Sequence, residues 1–441
     1  MSKSWLKLSA CDLGRAIADG SISPVALTQA YLGAIAAHPI TPRIYSTVTT
    51  NRAMREARAA EQRAQTGQRL SLLDGVPISW KDLYDSKGVK TEAGTRLLAG
   101  RTPDRDALVL KRATNAGLVC LGKTHMSELA FSGLGLNPMT RTTPCVNDLD
   151  AVSGGSSSGA AGSVAFGLAA AGIGSDTGGS VRIPSAWNDL VGLKTTAGDI
   201  ELDGVVPLCS SYDTVGPLCR TVEDASVLYA ILKDQEPAPL QPPKSLRLMV
   251  LTSLALDELA PEPKASFETA CDTMRAQGIE LIEKSFPQIS DLLSLAAILF
   301  TTEAYAQWGE LLETDGHKMY PEIFERFMAG KRHSKDQHDR AKAIQENIRA
   351  EWATLCAEFD GVILPSSPLM PPNLERLLTD GDFYKRTNLL ALRNTRIGNM
   401  LGLCAISLPT STPSCGLMVM GAPNSEVKLL NIAAKIEPLL R

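Results

Sequence analysis

The stretch 153–185, SGGSSSGAAGSVAFGLAAAGIGSDTGGSVRIPS, constrains this 441-residue chain more than any other segment. Two clusters of glycine and serine, 154–159 and 178–180, flank an alanine-rich segment long enough for about three to four helical turns. Clustered glycines let backbone N–H groups converge on one point, because a chain without Cβ atoms takes tight and left-handed geometry. A serine inside such a cluster places a hydroxyl beside ready donors. That combination suits attack on a carbonyl, which needs a nucleophile and an oxyanion hole within about 3 Å of one atom.

The surrounding pattern alternates helix and strand. Ser9 and Ser23 suit N-caps, with Pro24 at a first helical position and an apolar face through Leu27, Tyr31 and Ile35. A helix of mixed charge is expected over 51–65. Residues 76–80 read as a short strand that delivers Lys81 at its end, where loops of an α/β fold carry function. An amphipathic pattern over 104–115 stops at Gly117, ahead of an apolar strand over 118–121. Further on, a helix is predicted over 222–232, followed by a proline-rich surface linker over 234–245 that opens a more variable subregion reaching about 360. Strands over 246–251 and 279–283 enclose a helix, a βαβ signature. Helices fill 292–327 and 340–356, and strands over 362–364, 405–408 and 417–420 alternate with helical patterns up to Leu440. The pattern predicts an α/β fold: one large mixed, mostly parallel β-sheet covered on both faces by α-helices.

Two motif matches fail on context. Gly117-Leu-Val-Cys-Leu-Gly122-Lys123-Thr124 satisfies the phosphate-loop pattern, yet a helix precedes it and its middle is itself the apolar run, so a nucleotide site is not expected. Gly155-Ser-Ser157-Ser-Gly159 fits the nucleophile elbow of α/β-hydrolases. That reading needs a strand directly before it and a histidine base after it. Polar, turn-like residues precede it, and only His317, His333 and His338 follow, in segments that read as exposed. The base must be sought elsewhere. A lysine forced to be neutral by burial can serve, and Lys81, behind an apolar strand and beside Trp80, is the best placed.

Composition narrows the class. A net charge of −4 and a pI of about 5.9 give no nucleic-acid footprint, and no uninterrupted apolar run reaches the roughly 18 residues of a spanning helix. The first residues, MSKSWLKLSACDLG, lack the apolar core and cleavage site of a signal peptide, so a cytoplasmic enzyme is expected. Nine scattered cysteines without a CxxC pair read as reduced, mostly buried thiols and argue against a zinc site; the segment KRHSKDQHDR reads as a solvated helix face.

GVPISWKDLYD, SGGSSSG and GSDTGGSVRIPSAW, with VGLKT behind them, resemble the amidase signature family, most densely over about 73–220, with weaker echoes in FDGVILPSSP and RNTRIGNMLGLCAISLP. The resemblance implies a single amidase domain over 1–441 and hydrolysis of the C–N bond of a small carboxamide or aryl or acyl amide, without cofactor or metal. It implies a Ser–Ser–Lys triad: Ser180 as the acylated nucleophile, Ser156 as the bridging serine after a cis peptide bond, and Lys81 as the base. It places the oxyanion against the N–H groups of Thr177, Gly178, Gly179 and Ser180, with Ser157, Asp176 and Arg182 in support. A small-molecule amide is then the expected partner, and a homodimer stays open. The sequence departs from the family pattern at Ser158, where a glycine is usual, at Asn188-Asp189 and at Lys194-Thr195-Thr196. These departures point to a divergent branch; one such branch, the glutaminase (A) subunit of a tRNA-dependent amidotransferase, is the alternative, which the altered motifs and comparatively short chain disfavour. Substrate selection is expected from 126–137 and 292–327, with Trp80, Trp187 and Trp308 as further pocket candidates.

Overall fold

The computed structural model describes residues 2–440, whose eleven strands join one continuous sheet. In chain order they are β1 (Tyr45–Val48), β2 (Pro77–Lys81), β3 (Val119–Thr124), β4 (Ala171–Ser175), β5 (Val191–Lys194), β6 (Val215–Cys219), β7 (Arg247–Leu251), β8 (Glu280–Lys284), β9 (Gly361–Pro365), β10 (Cys404–Pro409) and β11 (Gly416–Gly421). Across the sheet the order is β1-β3-β2-β4-β6-β5-β10-β11-β9-β7-β8. Helices cover both faces, and the α/β class and mixed sheet are as expected. Parallel pairing, however, does not dominate: six ladders are antiparallel and four are parallel. Two features account for this correction. Strand β6, hidden in SYDTVGPLCR, inserts antiparallel between β4 and β5, and β10 pairs with β11 as a hairpin. Neither needs a crossover helix, so counting helix–strand alternations overestimates parallel pairs.

Strand β2, PISWK, is buried at every position and lies between β3 and β4, parallel to both. A strand covered on both faces reads as a continuous apolar run, which makes the lysine at its end conspicuous. Lys81 pairs with Thr124 of β3, and the C-terminal ends of β2 and β4 lie side by side. Lys81 and Ser175 therefore emerge at one edge of the sheet, the edge that in parallel arrangements carries the functional loops.

The alanine-rich segment is not one long helix. The helix Ser158–Ala165 makes about two turns, the chain reverses at Gly167 with φ of 71°, and β4 follows. Both pieces are buried almost throughout; small apolar residues buried on every side carry no period that separates helix from strand. Their smallness serves contact. A Cβ on Gly172 would stand 2.8 Å from the Ala160 carbonyl oxygen, and one on Gly159 would stand 2.6 Å from that of His125.

Other boundaries shift for identifiable reasons. The helix expected from 104 is Leu108–Asn115, because Asp106 is held outside it by both terminal nitrogens of Arg52 at 2.9 Å. Gly122-Lys123-Thr124 lies inside β3, where no phosphate loop can form. The helix expected from 340 begins at Lys335, behind a Ser334–Gln337 capping box, and takes in His338, which is half-buried beside Glu303. The segment 288–318 contains an 18-residue window with a mean hydropathy of 1.3 and is long and apolar enough to cross a membrane by length and composition, a property that a search for uninterrupted runs passes over. Here Leu299, Ala304 and Leu312 of that segment pack into the main core. All nine cysteines are free thiols, and eight are buried.

Candidate active site

Lys81 is fully buried, with Nζ 2.7 Å from Ser156 Oγ and 2.8 Å from Ser175 Oγ. Burial pushes its ammonium down to about 7, against the opposing pull of Asp176 and Asp213. An exposed lysine stays protonated at neutral pH; this one is poised between charged and neutral forms. A neutral amine keeps two N–H donors and one lone pair. With one N–H given to Ser175, the lone pair is available to the Ser156 proton. Ser175 escapes a reading for serine-rich motifs, since only its place at the end of the strand beside β2 gives it the contact.

The Gly155–Ser156 peptide bond is cis. Next to it, Ser157 fastens the two glycine–serine clusters together. Its N–H donates to the Ser180 carbonyl at 3.2 Å, and its hydroxyl donates to the Ser175 carbonyl at 3.1 Å. Ser158, which replaces a usual glycine, starts the helix Ser158–Ala165 in ordinary right-handed geometry, so the replacement costs the turn nothing. Asn188 donates to the Ser153 and Pro184 carbonyls, each at 2.8 Å, and so ties the first cluster to the helix Arg182–Trp187.

Ser180 stands in the loop between β4 and that helix. Of the four N–H groups expected around an oxyanion, that of Gly179 is engaged: it donates to Asp176 Oδ1 at 2.8 Å. The expectation for Gly179 is corrected accordingly. Those of Thr177, Gly178 and Ser180 make no hydrogen bond among the described residues, and these three residues line a cleft from which Gly179 is absent. Gly179 has another task. Its φ is 139°, and a Cβ there would stand 2.1 Å from Thr395 Oγ1, so only glycine fits. No hydrogen bond joins the hydroxyls of Ser156 and Ser180 among the described residues; Lys81 and Ser156 are the pair in contact.

Asp176 organises the loop from beneath. Oδ1 accepts from Gly179 N, Arg182 Nη2 and Asn399 Nδ2, and Oδ2 accepts from Val181 N and Arg182 Nε, at 2.8–3.1 Å. Burial alone would raise this carboxyl, but the Arg182 charge and these bonds outweigh it and hold the group well below the usual carboxylate range. Arg182 is fully buried too, and also donates to the Thr395 carbonyl at 2.8 Å and Asn399 Oδ1 at 2.6 Å.

The cleft over Ser180 is lined by Phe131, Ser132, Leu208, Phe300, Arg326 and Arg396 among others. Both segments expected to select substrate, 126–137 and 292–327, contribute to it. The three tryptophans do not: Trp80 and Trp187 are fully buried in packing, and Trp308 donates to the Pro207 carbonyl at 3.0 Å. A larger cleft lined by Lys194, Arg349 and Asn399 contains none of Lys81, Ser156 and Ser180. Thr395, Arg396 and Asn399 all lie in RNTRIGNMLG, where the family echo is faint. Among the described residues no group of three or more His, Cys, Asp or Glu could hold a metal ion.

Comparison with known proteins gives the family. The sequence matches the amidase family over residues 26–430. It is 34% identical to 2-amino-5-chloromuconic acid deaminase of Comamonas testosteroni over 415 residues, 90% of this chain and 89% of that protein. It is 31% identical to the A-type subunit of the glutamyl-tRNA(Gln) amidotransferase of Chloroflexus aggregans, over 95% of this chain and 93% of that protein. A crystal structure of an amidase superposes with a TM-score of 0.89 at 28% identity, over 98% of this chain and all of that one. With sequence and fold in agreement along nearly its whole length, the chain belongs to the amidase signature family and is a hydrolase of amide C–N bonds.

Proposed function

We propose that the chain hydrolyses a small carboxamide, or an aryl or acyl amide, through an acyl-enzyme on Ser180. The observation that carries this reading is the buried, half-neutral amine of Lys81 at 2.7 Å from Ser156, below a loop whose free N–H groups border the Ser180 cleft. Lys81 accepts the Ser156 proton as Ser156 accepts that of Ser180, and the Ser180 oxygen forms an ester bond with the substrate acyl carbon. The N–H groups of Thr177, Gly178 and Ser180 stabilise the negative oxygen of the tetrahedral intermediate. The proton returns along the same path to the leaving nitrogen, whose bond to carbon breaks, and water then cleaves the ester to release the acid. Asp176, Arg182 and Ser157 keep the loop in place.

Incubation of the purified chain with a poor amide or an activated ester, followed by peptide mass analysis, is expected to find the acyl group on Ser180. Ser180→Ala is expected to abolish both the adduct and turnover. An adduct elsewhere, or parent-like hydrolysis by Ser180→Ala, contradicts the reading. Turnover by the chain alone also separates a free-standing amidase from a component of a larger amidotransferase, as the Chloroflexus relative is.

The lowered Lys81 value sets a pH profile. Below about 7 the amine is protonated and cannot accept the Ser156 proton. The kcat/KM of the free enzyme is therefore expected to rise with pH, half-maximal near pH 7, and to fall about tenfold per unit well below it. A profile flat from pH 5 to 8 contradicts Lys81 as base.

A further inference from the structure

Two arginines of the cleft are not accounted for by the amide chemistry. Arg326 donates from Nη1 to the Phe131 carbonyl at 2.7 Å and stacks on the Phe131 ring, 4.2 Å from its centroid. Arg396 is buried, with its guanidinium 6.0 Å from the Phe300 ring centroid, and it lies against Gly178, where a Cβ would stand 3.8 Å from Nε. Arg52, Arg63, Arg101 and Arg182 each face a carboxylate. Arg326 and Arg396 form no ion pair among the described residues, and the nearest glutamates on the Arg326 helix, Glu322 and Glu325, are taken by Lys385. Desolvation lowers Arg326 to about 10 and, together with repulsion from Arg326, Arg396 to about 9. A folded chain that desolvates two mutually repelling cations beside its nucleophile lacks a counter-ion.

We propose that the substrate carries a carboxylate as well as the amide, and that Arg326 and Arg396 seat that carboxylate while the amide carbonyl lies over Ser180. The assignment rests on the amidase reading and narrows it. The planar guanidinium fork matches a carboxylate with two parallel hydrogen bonds. Since Arg396 adjoins Gly178, two residues from Ser180, only a short spacer separates carboxylate from scissile amide, as in the monoamides of four- and five-carbon dicarboxylic acids. The roles are divided: Ser180 and the loop N–H groups act on the amide, and the two arginines fix its distance and orientation.

The test compares kcat/KM for succinic and glutaric monoamides with butanamide and pentanamide, in the parent, Arg326→Met, Arg396→Met and Arg396→Lys. Calorimetric binding of succinate and of inorganic phosphate at constant ionic strength is measured alongside. The parent is expected to favour the anionic amides on the order of 100-fold. Each methionine variant is expected to lose most of that preference, chiefly through KM, and the charge-retaining Arg396→Lys to keep part of it, which separates lost charge from lost folding. A parent that hydrolyses butanamide as well as succinic monoamide keeps the Ser180 reading and overturns the carboxylate seat. A parent that hydrolyses no amide, yet binds succinate and loses it in both methionine variants, does the reverse. Phosphate binding as tight as that of succinate overturns the choice of a carboxylate.

Discussion

Lys81→Met is expected to lower kcat/KM for amides by about 10⁴-fold or more, since residues of a nucleophilic relay act as a unit, while the protein stays folded. The two halves of this expectation have separate causes. Methionine fills the lysine's volume but has no lone pair that can take the Ser156 proton, so Ser180 remains a neutral hydroxyl. Stability is another matter. The unfolded lysine holds its proton up to about 10.5, whereas the folded one releases it at about 7. Between these values the unfolded chain binds more protons, so this group makes the parent gain stability as pH rises from about 7 to 10.5, and its cost is fully present below about 7. Methionine removes that cost and instead leaves the hydroxyls of Ser156 and Ser175 without their amine partner, at about 1–3 kcal/mol for each buried group. The terms oppose each other, so denaturant midpoints of parent and variant should lie close at pH 7 and move in the parent's favour towards pH 10. A variant retaining more than a few per cent of amide turnover, or one that fails to fold, would falsify the assignment of Lys81 as a base tolerated at the expense of stability.

What could be read from the sequence, and what could not, follows from the range of the interactions involved. A cap such as Ser23 with Pro24, or a βαβ unit such as β7 to β8, is decided by residues a few positions apart, and both are where the pattern puts them. Lys81 is legible less from its place at the end of an apolar strand than from its company, the GVPISWKDLYD, SGGSSSG and GSDTGGSVRIPSAW motifs that resemble the family. β4 is invisible because alanine and glycine buried on all sides look alike in helix and strand. The engagement of Gly179 depends on where a carboxylate three residues away turns, and spacing does not tell which N–H it takes. Arg326 and Arg396 are two cations among 44 until the fold places them 70 residues apart in sequence but over one serine. Their signal is a missing partner, and only a structure can show that.

Arg182→Met should be the most destabilising single change at this site, at about 3–5 kcal/mol, because it orphans a buried carboxylate instead of removing a pair. Both side chains of the Arg182–Asp176 pair are fully inaccessible. Without the guanidinium, burial becomes the dominant influence on Asp176, whose carboxyl should rise from far below its ordinary range and take up a proton at neutral pH. The protonated acid keeps fewer acceptor sites for Gly179 and Val181, so the loop that aims Thr177, Gly178 and Ser180 loosens, and kcat should fall with stability. A double variant, Asp176→Asn with Arg182→Met, separates the causes. No charge is then buried alone, so its denaturant midpoint should lie above that of Arg182→Met, the signature of coupling between neighbours. Activity should not recover with it, since one amide oxygen cannot hold the two sets of N–H groups that the carboxylate holds. If the single variant proves as stable as the parent, the ion pair is not what fixes the loop; if the double variant regains both stability and turnover, the charge on Asp176 mattered and its geometry did not.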